Sequence, residues 1–449
     1  MKPHTAAPPA LTLAFLVGLG GPLRAQLPTT PADRWNRAAM EWVELLDSED
    51  FAAAGDRVDP AVPDGAMDAP ALEQIWTQVS AQLGELISIA PGPVTESGVY
   101  HVVDLPATFA NQSLSIRVVL TDDLLVSGLF FRPAAPPAYE AADYVDADSF
   151  TEIELTVGAE PWLLPAVLTV PTGDGPFPGI VLVHGSGPND RDETIGGNRP
   201  FRDLAEGLSS RGIAVLRYDK RTYAHGARMT GGEVGLDEEV LDDAVAALST
   251  LRAQPNVDAS RTYLLGHSLG GMLAPEIATR DGDLAGAVVL AGPARPMGEV
   301  IVDQLNHLAQ SEAPGSAGRT TLDSLIVEAQ QFVDGSADDD PEATVLGAPV
   351  GYWRELETVD PVATAAADVT PYLILQGGRD YQVTEADLDL WRAGLEGREA
   401  VEFEFYQDLN HLFGAGEGMA TPAEYTSEVK PVDPRVVDRI ARWILVNSR

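Results

Sequence analysis

The sequence predicts an α/β fold: an eight-stranded, mostly parallel sheet with a helical lid, preceded by a small α+β domain. Three observations predict it. Apolar runs alternate with helical patterns across residues 150–449. One of those runs, Thr262 to Leu265, leads into Gly266-His267-Ser268-Leu269-Gly270 and then into a helix-compatible segment, Met272 to Thr279. A proline-rich stretch, Pro133 to Pro137, sets this part off from a shorter N-terminal one.

Taken in order, residues 1–25 carry Lys2, an apolar stretch from Ala10 to Leu19, and small residues ending Leu23-Arg24-Ala25. That pattern reads as a cleavable signal peptide and places the mature chain in the periplasm or outside the cell. The apolar stretch is too short for a permanent membrane span, and with no cysteine in the chain there is no lipid attachment site and no disulfide. Residues 33–132 form the small α+β domain. Trp35, Ala38, Ala39, Trp42, Val43 and Leu46 recur at helical spacing, and Leu72, Ile75, Trp76, Val79, Leu83, Leu86 and Ile87 mark a second helix. Three strand-like runs follow, Val99 to Val103, Leu114 to Leu120 and Leu124 to Phe131. The tryptophans read as core. Residues 133–149 are the expected linker.

The eight strand candidates are Glu152 to Val157, Ala166 to Val170, Gly179 to Val183, Ile213 to Arg217, Arg261 to Leu265, Gly286 to Ala291, Tyr372 to Gln376 and Val401 to Tyr406. The first two read as antiparallel. An insertion of about 75 residues, 293–368, separates the sixth and seventh. Its helical patches, Val300 to Leu308 and Leu322 to Phe332, suit a lid over a site. The acidic run Asp338-Asp339-Asp340 lacks spaced ligands around a glycine turn and reads as solvated loop, and Asn111-Gln112-Ser113 is a glycosylation sequon given no weight.

Gly-x-Ser-x-Gly between strand and helix is the nucleophile elbow of a serine hydrolase. Glycines at 266 and 270 let strand and helix approach, and the tight turn lifts the Ser268 hydroxyl clear of the sheet. An α/β-hydrolase orders its triad serine, acid, histidine. Of seven histidines, only His307 and His411 follow Ser268. His307 sits in a helical pattern of the insertion. His411 follows the last strand, where the base belongs. Asp380 follows the strand Tyr372 to Gln376 and is the expected acid, while Asp408 shapes the loop beside His411. The oxyanion hole requires two backbone N–H groups. Leu269 supplies one. Ser186, in the loop His184-Gly185-Ser186-Gly187-Pro188, supplies the other, with Gly185 as the alternative. His184 reads as a brace of that loop. Asp190, Arg191, Asp192 and Glu193 line the mouth of the site or pair among themselves, and Asp219 and Arg221 brace nearby loops.

The run His184-Gly-Ser-Gly-Pro-Asn-Asp-Arg-Asp-Glu-Thr, with Pro200-Phe201-Arg202-Asp203-Leu204-Ala205 and Arg217-Tyr218-Asp219-Lys220-Arg221, resembles bacterial α/β-hydrolases of the EstD esterase type, also described as serine aminopeptidase-like or dienelactone hydrolase-like. The resemblance spans about 150–449. It implies carboxylesterase activity on short acyl chains, no cofactor, a small helical lid, and the same triad, Ser268, Asp380 and His411. Residues 33–132 are similar to a domain of unknown function found ahead of such hydrolases.

A net charge of −39 repels nucleic acid and anionic membranes, so neither is an expected partner; the triad and the resemblance make a small-molecule ester the expected substrate. No metal site is expected. Three other readings stay open: a peptidase or amidase with the same triad, an acyltransferase, and a binding protein on a hydrolase scaffold. The N-terminal domain serves either dimerisation, making a homodimer, or substrate docking.

Overall fold

The chain divides into two units, Met1–Ala135, built on a five-stranded antiparallel sheet, and Pro136–Arg449, built on an eight-stranded mixed sheet and a two-stranded ribbon. The computed structural model describes residues 31–63, 65–109, 113–133, 139–229, 234–337 and 343–447. The leader expected over 1–25, the run Asp338 to Asp340, and Asn111 and Gln112 of the sequon lie outside them.

In the first unit the helix Pro31–Asp47 turns Trp35, Ala39, Trp42, Val43 and Leu46 into one core. Trp42 is buried with its Nε1–H donated to Ala54 O at 2.9 Å, so its polar edge is satisfied inside. The strand Tyr100–Phe109 pairs antiparallel with Ser113–Thr121, which pairs with Val126–Pro133. Val103, Leu105, Ala107 and Phe109 alternate inward, as a half-buried strand requires. Two readings are corrected. The second helix is Ala69–Leu83 and stops there, because Gly84 takes a φ of +82° that ends it; Leu86 and Ile87 belong instead to a short strand, Leu86–Ile89. A further strand, Val94–Ser97, and a helix, Phe51–Gly55, carried no legible pattern, being only four and five residues long.

In the second unit the sheet order is Val401–Tyr406, Tyr372–Gly377, Gly286–Leu290, Val257–His267, Phe177–Val183, Ala214–Tyr218, Leu164–Pro171 and Phe150–Val157. The first six are mutually parallel; Leu164–Pro171 runs opposite to them, and Phe150–Val157 pairs antiparallel with it. Central strands such as Ala214–Tyr218 and Gly286–Leu290 are buried along their whole length, since helices cover both faces. The order reverses between Phe177–Val183 and Val257–His267. That is the switch point where an open α/β sheet leaves a crevice at its carboxyl edge. Register pairs Gly266 with Val183, so the residues just past each strand, Ser268 and Gly185, open onto the same crevice.

The insertion folds as the helices Met297–Ser311 and Ala317–Val333, longer than their apolar patches, followed by Val350–Glu357 and Pro361–Ala367.

The stretch expected to link the units packs instead on the second one from Tyr139 onward. The Tyr139 hydroxyl donates to Asp203 at 3.0 Å and lies 3.1 Å from Glu206, on the helix Pro200–Ser209. Burial pushes the Asp203 carboxyl up to about 7, only partly offset by hydrogen bonds from Val432 N–H and Tyr139. Folded Asp203 therefore keeps its proton well above the pH at which the unfolded chain releases it. Its contribution favours the fold at acid pH and is lost between about 4 and 7. Asp203→Asn, fixed neutral, is expected to gain on the wild type by roughly 1–3 kcal/mol across that window. Unfolding midpoints at a series of pH values measure it, and a pH-independent difference would contradict it.

Candidate active site

Ser268 ends the strand Val257–His267, precedes the helix Leu269–Asp281, and holds a φ of +54°. A non-glycine residue there costs of order 1–3 kcal/mol and persists only where its surroundings impose it. Here glycines impose it. A Cβ on Gly266 would lie 2.0 Å from Gly270 O, and one on Gly270 would lie 2.3 Å from Val183 O. Strand, turn and helix thus touch backbone to backbone. Gly270→Ala is expected to destabilise the fold by about 3 kcal/mol, because carbonyl oxygens of a central strand have no room to retreat. Urea unfolding measures this, and a variant as stable as the wild type would refute the forced turn.

Asp380 and His411 are brought together. His411 Nδ1 donates to Asp380 Oδ2 at 2.6 Å, with both side chains buried. Asp380 Oδ1 accepts from Gln382 N at 2.8 Å and Val383 N at 3.0 Å, and Oδ2 also accepts from Gln376 Nε2 at 3.2 Å. With Nδ1–H engaged, the lone pair of the neutral imidazole is on Nε2. His411 and Ser268 line the same cavity, of about 170 Å³, although no hydrogen bond joins them among the described residues. The histidine loop is held by neighbours of the acid: Arg379 N donates to Leu409 O at 2.9 Å, and its guanidinium grips Glu424, which accepts from Asn410 Nδ2 at 2.9 Å. His307 is elsewhere, stacked on Tyr381 with ring centroids 4.7 Å apart. Asp408 faces outward and pairs with Arg435 at 2.7 Å.

The loop after Phe177–Val183 separates the two alternatives for the second N–H donor. Gly185 N–H is already donated to Glu193 Oε1 at 2.7 Å. Ser186 lines the cavity, and Leu269 N–H, in the first turn of its helix, has no acceptor within that helix. Met297, Ile301 and Gln304 of the insertion also line the cavity. His184 is buried between the rings of Phe201 and Tyr218, and burial holds its imidazole down at about 4, hence neutral.

Of the acidic and basic residues in the loop, Arg191 pairs with Asp219 at 2.9 Å, Asp192 with Arg217, and Arg221 with Asp243 at 2.5 Å. Glu193 is different, and composition gave no sign of it. It is buried at a φ of +51°. Besides Gly185 N–H, it faces His267 Nδ1 at 2.9 Å. The alignment is poor for a hydrogen bond, so the attraction is mainly of charge. Burial opposes a charge on His267, yet the Glu193 carboxylate holds its imidazole above the ordinary range, and Nε2–H is donated to His411 O at 3.0 Å. The residue in the middle of the Gly-x-Ser motif therefore ties the oxyanion-side loop to the histidine loop.

Comparison with known proteins identifies the family. Residues 180–421 match the model of the alpha/beta hydrolase family, and residues 39–129 match a family described as a protein of unknown function, DUF3887. The chain is 42% identical to Esterase EstD of Thermotoga maritima over 411 residues, 92% of this chain and 95% of that protein. Among solved structures it is similar to the Pyrococcus furiosus esterase PF2001, at 14% identity and a TM-score of 0.44 over 70% of this chain and 97% of that one. It is also similar to Est1E from Butyrivibrio proteoclasticus, at 17% identity and a TM-score of 0.43 over 66% and 98%. With more than half of its length matched by the family model and nearly all of it aligned to a relative, the chain belongs to the alpha/beta hydrolase family.

Proposed function

We propose that this chain is a serine carboxylesterase that hydrolyses short-chain acyl esters through an acyl-enzyme on Ser268. The observation that carries the reading is the Asp380–His411 hydrogen bond beside Ser268 on one small cavity. That it is an ester hydrolase is supported independently by its 42% identity to Esterase EstD. His411 Nε2 takes the Ser268 proton as Oγ attacks the ester carbonyl, and Asp380 stabilises the imidazolium. Leu269 N–H and Ser186 N–H receive the developing oxyanion. His411 then gives its proton to the leaving alkoxide. A water, deprotonated by His411, attacks the acyl-enzyme and releases the acid with Ser268 restored.

A cavity of about 170 Å³ suits an acyl group of a few carbons rather than a long chain. The same cavity supports an ester over an aminopeptidase substrate. Its buried carboxylate, Glu193, is already engaged by Gly185 N–H and His267, so it is not offered to a substrate ammonium. The insertion 293–368 is proposed as the lid, and the leader pattern of 1–25 supports a secreted or periplasmic location. The N-terminal unit is proposed to serve dimerisation or substrate docking.

Turnover of p-nitrophenyl acetate, butyrate and octanoate, beside alanine and leucine p-nitroanilides, tests the reading. Ester turnover that falls with acyl length is expected. Anilide turnover without ester preference would move the assignment to a peptidase.

A further inference from the structure

Lys220 is a buried cation, 2% exposed, in a chain with only three lysines. Its Nζ makes two contacts. It donates to Gly185 O at 2.9 Å and pairs with Glu239 Oε1 at 2.5 Å. Glu239 lies in a π-helical turn, and its charge, after burial, helps hold the Tyr352 hydroxyl protonated. Asn189 Nδ2 donates to the same Gly185 carbonyl at 3.2 Å.

The Gly185–Ser186 peptide bond is trans. In a trans peptide C=O and N–H point in opposite directions, so fixing the oxygen fixes the direction of the N–H. With Gly185 O drawn to Lys220, the N–H of Ser186 is turned to the other side, and Ser186 lines the cavity with Ser268. A cation on the carbonyl oxygen also polarises the amide and strengthens its N–H as a donor. We infer that Lys220, neutralised by Glu239, is a positioning residue that aims and strengthens the Ser186 N–H for the oxyanion formed on Ser268. The inference rests on the triad reading above. A stabilising role alone is a poor account of this pair. A buried ion pair contributes little net stability, and an apolar pair of the same size often holds a fold as well.

The test uses the full chain and three variants: Lys220→Met, the double variant Lys220→Met with Glu239→Gln, and Ser268→Ala. The double variant leaves no buried unpaired charge, so it decides the matter if the single variant does not fold. Active sites are counted by fluorophosphonate labelling. For p-nitrophenyl acetate, kcat per active site is expected to fall roughly 10- to 100-fold with KM changed less than about threefold. Affinity for an aliphatic trifluoromethyl ketone, which forms a tetrahedral oxyanion on the serine, is expected to fall in parallel. A folded variant whose kcat stays within about twofold of wild type, or whose kcat falls while ketone affinity is unchanged, overturns the inference. Full activity in Ser268→Ala overturns the triad reading instead. Loss of activity there, with full activity in the Lys220 variants, overturns only the role of Lys220.

Discussion

Ser268→Ala is expected to keep less than about a thousandth of the wild-type kcat on p-nitrophenyl butyrate. What remains would come from binding and the two N–H donors, which the substitution leaves in place. Alanine at 268 inherits the same φ of +54°, so the fold should lose little stability. Unfolding midpoints close to wild type, with activity gone, are the expected pair of results. Turnover within tenfold of wild type would remove Ser268 from the chemistry and with it the acyl-enzyme. The contrast with Gly270→Ala is informative: one methyl group two residues away breaks the turn, whereas loss of the hydroxyl breaks only the reaction.

Asp380→Asn is expected to lower kcat about 10³- to 10⁴-fold while leaving KM nearly unchanged. The reason lies in how the carboxylate is held. Oδ1 accepts two backbone N–H groups, from Gln382 and Val383. An amide oxygen can replace Oδ1 but an NH₂ group cannot, so the NH₂ falls where Oδ2 was, facing His411 Nδ1. It then donates to Nδ1 and fixes the proton on Nε2, which no longer accepts from Ser268. The displaced amide also faces Gln376 Nε2, donor against donor, at a site where the distance is now 3.2 Å. Asp380→Glu should be less damaging than Asp380→Asn, since an acceptor is kept. Activity in Asp380→Asn near that of wild type would make another carboxylate the partner of His411, and Asp408 is too far outward, paired with Arg435, to serve.

All eight strands of the second unit were legible as apolar or alternating runs, with bounds that match or differ by up to four residues. The inner strands are largely buried on both faces and carry a nearly continuous apolar signal, whereas the edge strands Phe150–Val157 and Val401–Tyr406 are half exposed and were legible by their alternation of polar and apolar residues. The small unit was legible where its signal was long, as in Pro31–Asp47, and illegible where it was short. Leu86 and Ile87 continued a helical spacing that Gly84 had already ended. Apolar spacing does not register a backbone that turns left-handed at one glycine. Of the candidate site, Ser268 was legible by its glycine neighbours, and Asp380 and His411 by their place after strands, and the structure brings Asp380 and His411 together. Glu193 and Lys220 did not. Each sat in a charged run that reads equally well as surface, and burial is a property of the folded chain.

By itself the sequence determined the order of elements, the strand–turn–helix at Ser268, and the residues offered for its acid and base, because periodicity and steric demand are local and written in consecutive residues. The tertiary structure alone decided which loop atoms are already engaged. It took Gly185 N–H for Glu193 and left Ser186 facing the cavity. It placed Lys220 on the carbonyl of that same peptide, and it tied His267 to His411 O across 144 residues of chain. Those outcomes depend on the direction of individual hydrogen bonds between distant segments, which packing sets and no spacing of residues encodes.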